Sequence, residues 1–247
     1  MATEEPEEIQ ESAQQENTQD SINNNNNNNN NESNNDSEKK IKLPLFLVMG
    51  LDDSGKTALF NRYIYGIKEK PAPTELFEER VFDNGGVQLK IREIAGRFRY
   101  RDDWEQYYDG ADAIIWVVDS IDRGRITESK EELQKLLNHE KLLNLPLLII
   151  FNKQDSRFKM QTEDMLKWLG VEKINIKDHS FNMIFTTVKT CENIPDGIAW
   201  LVQQLPFSPP ESPPYEEEED KNGHNDYDFE KPTGPLNIPI TEYFDFN

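Results

Sequence analysis

The run Gly50-Leu51-Asp52-Asp53-Ser54-Gly55-Lys56-Thr57 has the order G-x-x-x-x-G-K-S/T. Each residue type, at its place, suits the holding of linked phosphates. Glycines let the backbone wrap closely, so that its N–H groups and the start of a following helix face an anion. Lys56 supplies a point charge to the outer phosphates, and the Thr57 hydroxyl is a ligand for Mg²⁺. Gly50, Asp52, Asp53, Ser54, Gly55, Lys56 and Thr57 are therefore the expected nucleotide contacts. The competing reading is an ordinary glycine-containing turn. The apolar run 45–49 before the motif and the helical pattern 55–66 after it supply the strand–turn–helix context that a phosphate loop requires.

A phosphate loop does not choose a base. Asn152-Lys153-Gln154-Asp155 follows an apolar run ending at Phe151, where ligands gather at the C-terminal edge of a parallel sheet. The Asp155 carboxylate can accept from both the ring N–H and the exocyclic amine of guanine, a donor pair that adenine lacks. Asn152 is placed to brace the loop, and the Lys153 stem to lie over the base. Four residues alone are a weak signal for guanine; following a phosphate loop, in this order, they are a strong one. Asp155, and the absence of a lid-like arginine-rich insertion, disfavour an ATPase or nucleotide kinase.

The elements that must position these loops alternate along the chain. Strands are predicted at 45–49, 113–118, 146–151 and 182–186, and helices at 55–66, 127–138, 162–169 and 195–205. Extended runs at 77–82 and 87–94 flank Asp83-Asn84-Gly85-Gly86, a strong hairpin signal. Short continuous apolar runs separated by helical periods predict an α/β fold, with a mostly parallel sheet covered by helices on both faces.

Charge divides the chain into three. Residues 1–38 hold ten acidic groups and no Lys or Arg, and residues 206–247 hold eleven acidic against two basic. The 167 residues between carry 25 basic and 26 acidic groups, so the net charge of −20 belongs to the flanks. The first flank includes nine consecutive asparagines, Asn23 to Asn31, and the last holds eight of the 14 prolines. Neither offers enough apolar surface to offset its ordering entropy, so both are expected to be disordered. Acidic flanks exclude nucleic-acid binding driven by bulk charge. There is no apolar run of membrane-spanning length and no basic, apolar leader. The single Cys191 excludes an internal disulfide and suits a reducing compartment. A soluble cytoplasmic protein is the expectation.

Residues 39–205 resemble the ADP-ribosylation-factor and Arf-like branch of the small GTPases. Residues 50–57 are similar to that branch's G-L-D-x-x-G-K-T, and Trp116-Val117-Val118-Asp119-Ser120-Ile121-Asp122-Arg123 to its F-V-V-D-S-x-D-R. Glu131-Glu132-Leu133 and Asn152-Lys153-Gln154-Asp155 continue the match. The resemblance implies a P-loop small GTPase fold with a six-stranded, mostly parallel sheet, binding GTP or GDP with Mg²⁺. It implies Thr74 as the switch I threonine completing the Mg²⁺ shell in the GTP state. Thr187 and Val188, with Lys189, would contact guanine through backbone. Effectors, an exchange factor and a GTPase-activating protein are the implied partners of a monomeric switch, and vesicle traffic the implied setting.

The pattern breaks at switch II. The family begins it W-D-V-G-G-Q; this chain has Arg92-Glu93-Ile94-Ala95-Gly96-Arg97, with ungapped spacing from Thr57 through Thr74 to Gly96. Gly96 keeps an N–H for the γ-phosphate. Glu93 extends by one methylene the carboxylate that holds Mg²⁺ through water. Arg97 stands where the family has its catalytic glutamine, and its five donors without an acceptor cannot orient the attacking water in the same way. Slow intrinsic hydrolysis is the favoured expectation. The alternatives are an arginine finger in cis, or a side chain pointing to solvent among Arg99 and Arg101. Leu76 replaces a glycine associated with movement between the switches. Ala2 rules out myristoylation at that position, and the chain ends without a prenylation cysteine, so no direct lipid anchor is expected. Membrane recruitment would then depend on partners. A second function is also open, a GTP-bound interaction protein that recruits partners through its tails without hydrolysis.

Overall fold

The computed structural model describes residues 42–171 and 179–206. The expected disordered flanks, 1–38 and all but the first residue of 206–247, lie outside them. The apolar runs form six strands: β1 (Leu45–Met49), β2 (Phe77–Asp83), β3 (Gln88–Ile94), β4 (Ala113–Asp119), β5 (Leu147–Asn152) and β6 (Phe181–Phe185). Among the described residues four α-helices intervene, α1 (Lys56–Tyr65), α2 (Ile126–Leu137), α3 (Thr162–Leu169) and α4 (Ile194–Gln203). All ten predicted elements are present, with ends differing by a residue or two, as helix and strand termini generally do.

The sheet order is β2-β3-β1-β4-β5-β6. Among the described residues only the β2–β3 pair is antiparallel, and the other four pairings are parallel. The hairpin register places Glu78 opposite Glu93 and Arg80 opposite Ile91. Chain direction departs from β1 toward β3 and from β4 toward β5, so a crevice opens at the C-terminal ends of β1 and β4.

Strand alternation divides the core into two layers. On one face Leu47, Met49, Ile114, Trp116, Ile149 and Phe151 pack beneath α2 and α3. On the other Phe46, Val48, Ile115, Val117, Leu148 and Ile150 pack beneath α1 and α4. β1, β4 and β5 are buried along nearly their whole length, which is why they read as unbroken apolar runs instead of alternating ones. Each large apolar side chain taken wholly from water contributes about 1.5–3 kcal/mol, and these layers hold the strand ends that carry the loops. A 3-10 segment, Phe98–Tyr107, was not apparent from periodicity, because only Arg101 and Trp104 of its ten residues are buried. Among the described residues no helix is long and apolar enough to cross a membrane.

Candidate functional site

Residues 50–57 leave the end of β1 and turn into α1, whose first residue is Lys56. Gly55 holds φ at +89°, and a Cβ there would lie 2.4 Å from the Asn152 side-chain nitrogen. Glycine is therefore required by backbone conformation and by close approach alike. Asp53 is also left-handed, at φ +59°, a strained turn of the kind that collects at ligand sites. Lys56 is buried, and its ammonium donates to the carbonyls of Gly50 (2.9 Å) and Leu51 (2.8 Å) and to Ser54 Oγ (3.5 Å). Burial pulls this group down to about 8 against the attraction of Glu93 and Asp52. A buried ammonium at the end of a loop of backbone donors fits an anionic ligand, which would restore the charged form.

Three oxygen-bearing side chains from separate elements meet beside this loop. Thr57 Oγ1 lies 3.1 Å from Thr74 Oγ1, and it donates to Glu93 Oε1 at the end of β3. Thr74 Oγ1 lies 3.3 Å from the same oxygen. Two hydroxyls and a carboxylate form a hard, oxygen-only donor set that fits Mg²⁺ completed by phosphate and water ligands. The other Glu93 oxygen accepts from Arg80 Nη1 at 2.9 Å, and both side chains are buried. Gly96 follows directly and presses on the phosphate loop: a Cβ there would sit 2.4 Å from Gly50 O and 2.5 Å from Asp52 N.

Asn152 connects the two loops. Its Nδ2 donates to Ser54 O at 2.9 Å, while its Oδ1 accepts from the Lys153 N–H at 2.7 Å. Lys153 is left-handed, φ +66°, and its ammonium meets Asp119 Oδ2 at the end of β4 at 2.6 Å. Asp155 accepts from Thr187 Oγ1 at 2.7 Å and pairs with Lys189 Nζ, also at 2.7 Å. Lys189 first, and Thr187 with it, hold this carboxyl below its usual range. The Asp155 carboxylate thus faces the loop after β6, where Val188 is half-buried between Thr187 and exposed Lys189.

Arg97 stands apart from this convergence. It is exposed and makes no side-chain hydrogen bond or ion pair among the described residues. Its neighbours divide. Arg97 points to solvent, as one alternative reading of this run has it, and Arg99 is exposed beside Tyr100, whereas Arg101 is buried. Arg101 Nε donates to Gly96 O at 2.9 Å, Nη1 meets Glu128 at 2.5 Å, and Nη2 approaches Asp52 at 3.4 Å. It is buried because acidic partners from the phosphate loop and α2 surround it.

The sequence alone assigns no side-chain role to Arg80, Arg101, Asp119 or Arg125. Arg125 Nη1 joins the same Asp52 carboxylate at 3.0 Å. The available signals are Asp119 inside the 116–123 motif and Arg125 just beyond it; the contacts of Arg80 and Arg101 depend on long-range register.

The sequence matches the family model described as "Arf: ADP-ribosylation factor family" over residues 29–205. The chain belongs to this family. Its relatives include the ADP-ribosylation factor-like protein alp41 of Schizosaccharomyces pombe, 34% identical over 159 residues, which span 64% of this chain and 84% of that protein. ADP-ribosylation factor-like protein 2 of Dictyostelium discoideum is 33% identical over 168 residues, 68% of this chain and 89% of its own. Among solved structures, the Arl6 small GTPase of Trypanosoma brucei with bound nucleotide analogue GppNp aligns with a TM-score of 0.59 and 27% identity. That alignment covers 66% of this chain and 96% of the other. The protein is thus an Arf-like small GTPase with the P-loop fold, in a family of GTP- and GDP-binding switches.

Cys191 abuts the loop after β6 of this Arf-family domain. It is buried and left-handed, with its N–H on Thr187 O at 2.8 Å. Burial pushes its thiol from 9.0 up to about 11. The folded state therefore favours the protonated thiol: this contribution to stability is complete below about pH 8.5 and is lost as pH rises toward 11. Labelling with a disulfide reagent at pH 8 is expected to be slow in the native protein and at least about a hundredfold faster in denaturant. Equal rates in the two states would show the thiol to be open.

Proposed function

We propose that this chain is a GTP/GDP-dependent switch that uses Mg²⁺ and hydrolyses GTP slowly unless a partner assists. The convergence of Thr57, Thr74 and Glu93 beside the phosphate loop is the observation that carries this reading. Lys56 and the loop N–H groups would hold the phosphates, Asp155 and the 187–188 backbone the guanine, and Asn152 the alignment between them. Mg²⁺, held through Thr57 and Thr74 and by Glu93 through water, would neutralise phosphate charge. The Gly96 N–H is adjacent to the phosphate loop, where a γ-phosphate would draw switch II inward. Arg97 supplies charge without an acceptor for water, so hydrolysis falls to a partner or to another group. Exchange factors, GTPase-activating proteins and effectors would set and read the state of a cytoplasmic monomer; vesicle traffic is the setting that the sequence resemblance implies. Calorimetric titration of the full chain is expected to show Mg²⁺-dependent binding of GTP and GDP and no competition by ATP. No binding of either guanine nucleotide would overturn the proposal.

A second reading is a GTP-loaded interaction protein whose acidic tails recruit partners. Arg97, which offers water no acceptor, and the long acidic flanks favour it. Identifying the nucleotide that co-purifies separates the two: GDP supports the cycling switch, GTP the loaded scaffold.

A further inference from the structure

Glu93 is fully buried at the metal corner, and only one of its oxygens faces Thr57 and Thr74. The other is taken by Arg80, whose side chain is 6% exposed. Arg80 comes from the antiparallel partner strand, and its second terminal nitrogen meets Glu78, a carboxylate 55% exposed. Glu78 and Arg80 are two residues apart on β2 and so share a face of the hairpin, with Glu93 directly across from Glu78. The result is a carboxylate–guanidinium–carboxylate row running from solvent into the metal corner.

An arginine is always charged and holds a carboxylate in fixed geometry. A buried carboxylate without a cation is costly, and the usual cation at such a corner is the metal. Here the protein provides one of its own. Resting on the guanine-nucleotide and Mg²⁺ reading above, we propose that Arg80 is the built-in counter-ion of the divalent-cation site. It neutralises the buried Glu93 carboxylate before any metal arrives, and so cancels part of the charge that attracts Mg²⁺. The nucleotide pocket accordingly stays assembled at Mg²⁺ levels that leave the metal site partly empty. Glu78 tunes the effect from the surface by sharing the guanidinium.

The test loads the full-length protein with fluorescent GDP in millimolar Mg²⁺ and follows its release into excess unlabelled GDP across a Mg²⁺ titration down to EDTA. The Mg²⁺ concentration giving half-maximal retention is compared among three proteins. Arg80→Met removes the positive charge and keeps the stem, so the midpoint falls, on the order of tenfold, and release in EDTA quickens. Glu78→Gln frees the guanidinium from its outer carboxylate, so the midpoint rises by about two- to fivefold. Loss of a packing contact would not move the two variants in opposite directions. Arg80→Met below wild type and Glu78→Gln above it supports the proposal; any other order overturns it. Should Arg80→Met fail to fold by circular dichroism, Glu78→Gln decides alone, a rise supporting and its absence overturning. No uptake of fluorescent GDP by the wild type in millimolar Mg²⁺ defeats the nucleotide reading itself, whereas uptake followed by coincident midpoints defeats only the role of Arg80.

Discussion

Asp155→Asn is expected to weaken GDP and GTP binding by roughly a thousandfold, and to leave xanthosine diphosphate bound more tightly than GDP. Guanine presents two neighbouring donors, and a carboxylate accepts both. An amide turns one acceptor into a donor, which meets a donor of guanine but pairs with the carbonyl that xanthine carries in its place. The structure gives the carboxylate a reason to be well placed, since Thr187 and Lys189 already anchor one oxygen each. The loop should survive the exchange because Asn152, not Asp155, ties it to Ser54. Competition binding against both diphosphates measures the effect. An equal loss for the two would mean that the residue supports the loop and does not read the base.

Arg97→Gln is expected to raise the single-turnover rate of GTP hydrolysis by about 10- to 100-fold, with GTP affinity changed by less than about threefold. The side chain is exposed and without a side-chain partner among the described residues, so its replacement sacrifices no contact there. Glutamine restores an acceptor for water and a donor for the developing charge at one position. A wild type that already turns over as fast as the variant would show that water is oriented elsewhere. A variant slower than wild type would show Arg97 acting as a finger in cis.

The sheet was legible because its central strands are buried on both faces, and an unbroken apolar run such as Leu147–Phe151 has few alternatives. The phosphate and guanine loops were legible because their chemistry is written in consecutive residues. What could not be read depended on pairing between distant segments. Arg80 meets Glu93 only in the register that sets Asp83 against Gln88; a slip of one residue would turn Arg80 to the opposite face of the hairpin. Asp83-Asn84-Gly85-Gly86 announces the turn but does not specify its loop length. Arg101 lies within Arg97-Phe98-Arg99-Tyr100-Arg101, a run that reads as solvated charge, and is buried only because Asp52, Glu128 and Glu132 close round it. Lys153 was assigned to the face of the base from its own motif; its ammonium is tied by Asp119, a residue at the end of another strand.

Trp104 donates its indole N–H to Ala95 O at 2.9 Å, one residue before Gly96. Its ring meets that of Trp116, fixed in β4, edge to face with centroids 6.1 Å apart. Two indoles this close and this nearly perpendicular are coupled chromophores, one in β4 and the other on the segment that the proposed switch would move. Switch II therefore carries its own optical readout: a near-ultraviolet circular dichroism band whose amplitude follows the angle between the rings. The proposed nucleotide cycle would thus be timed in solution without attaching a label.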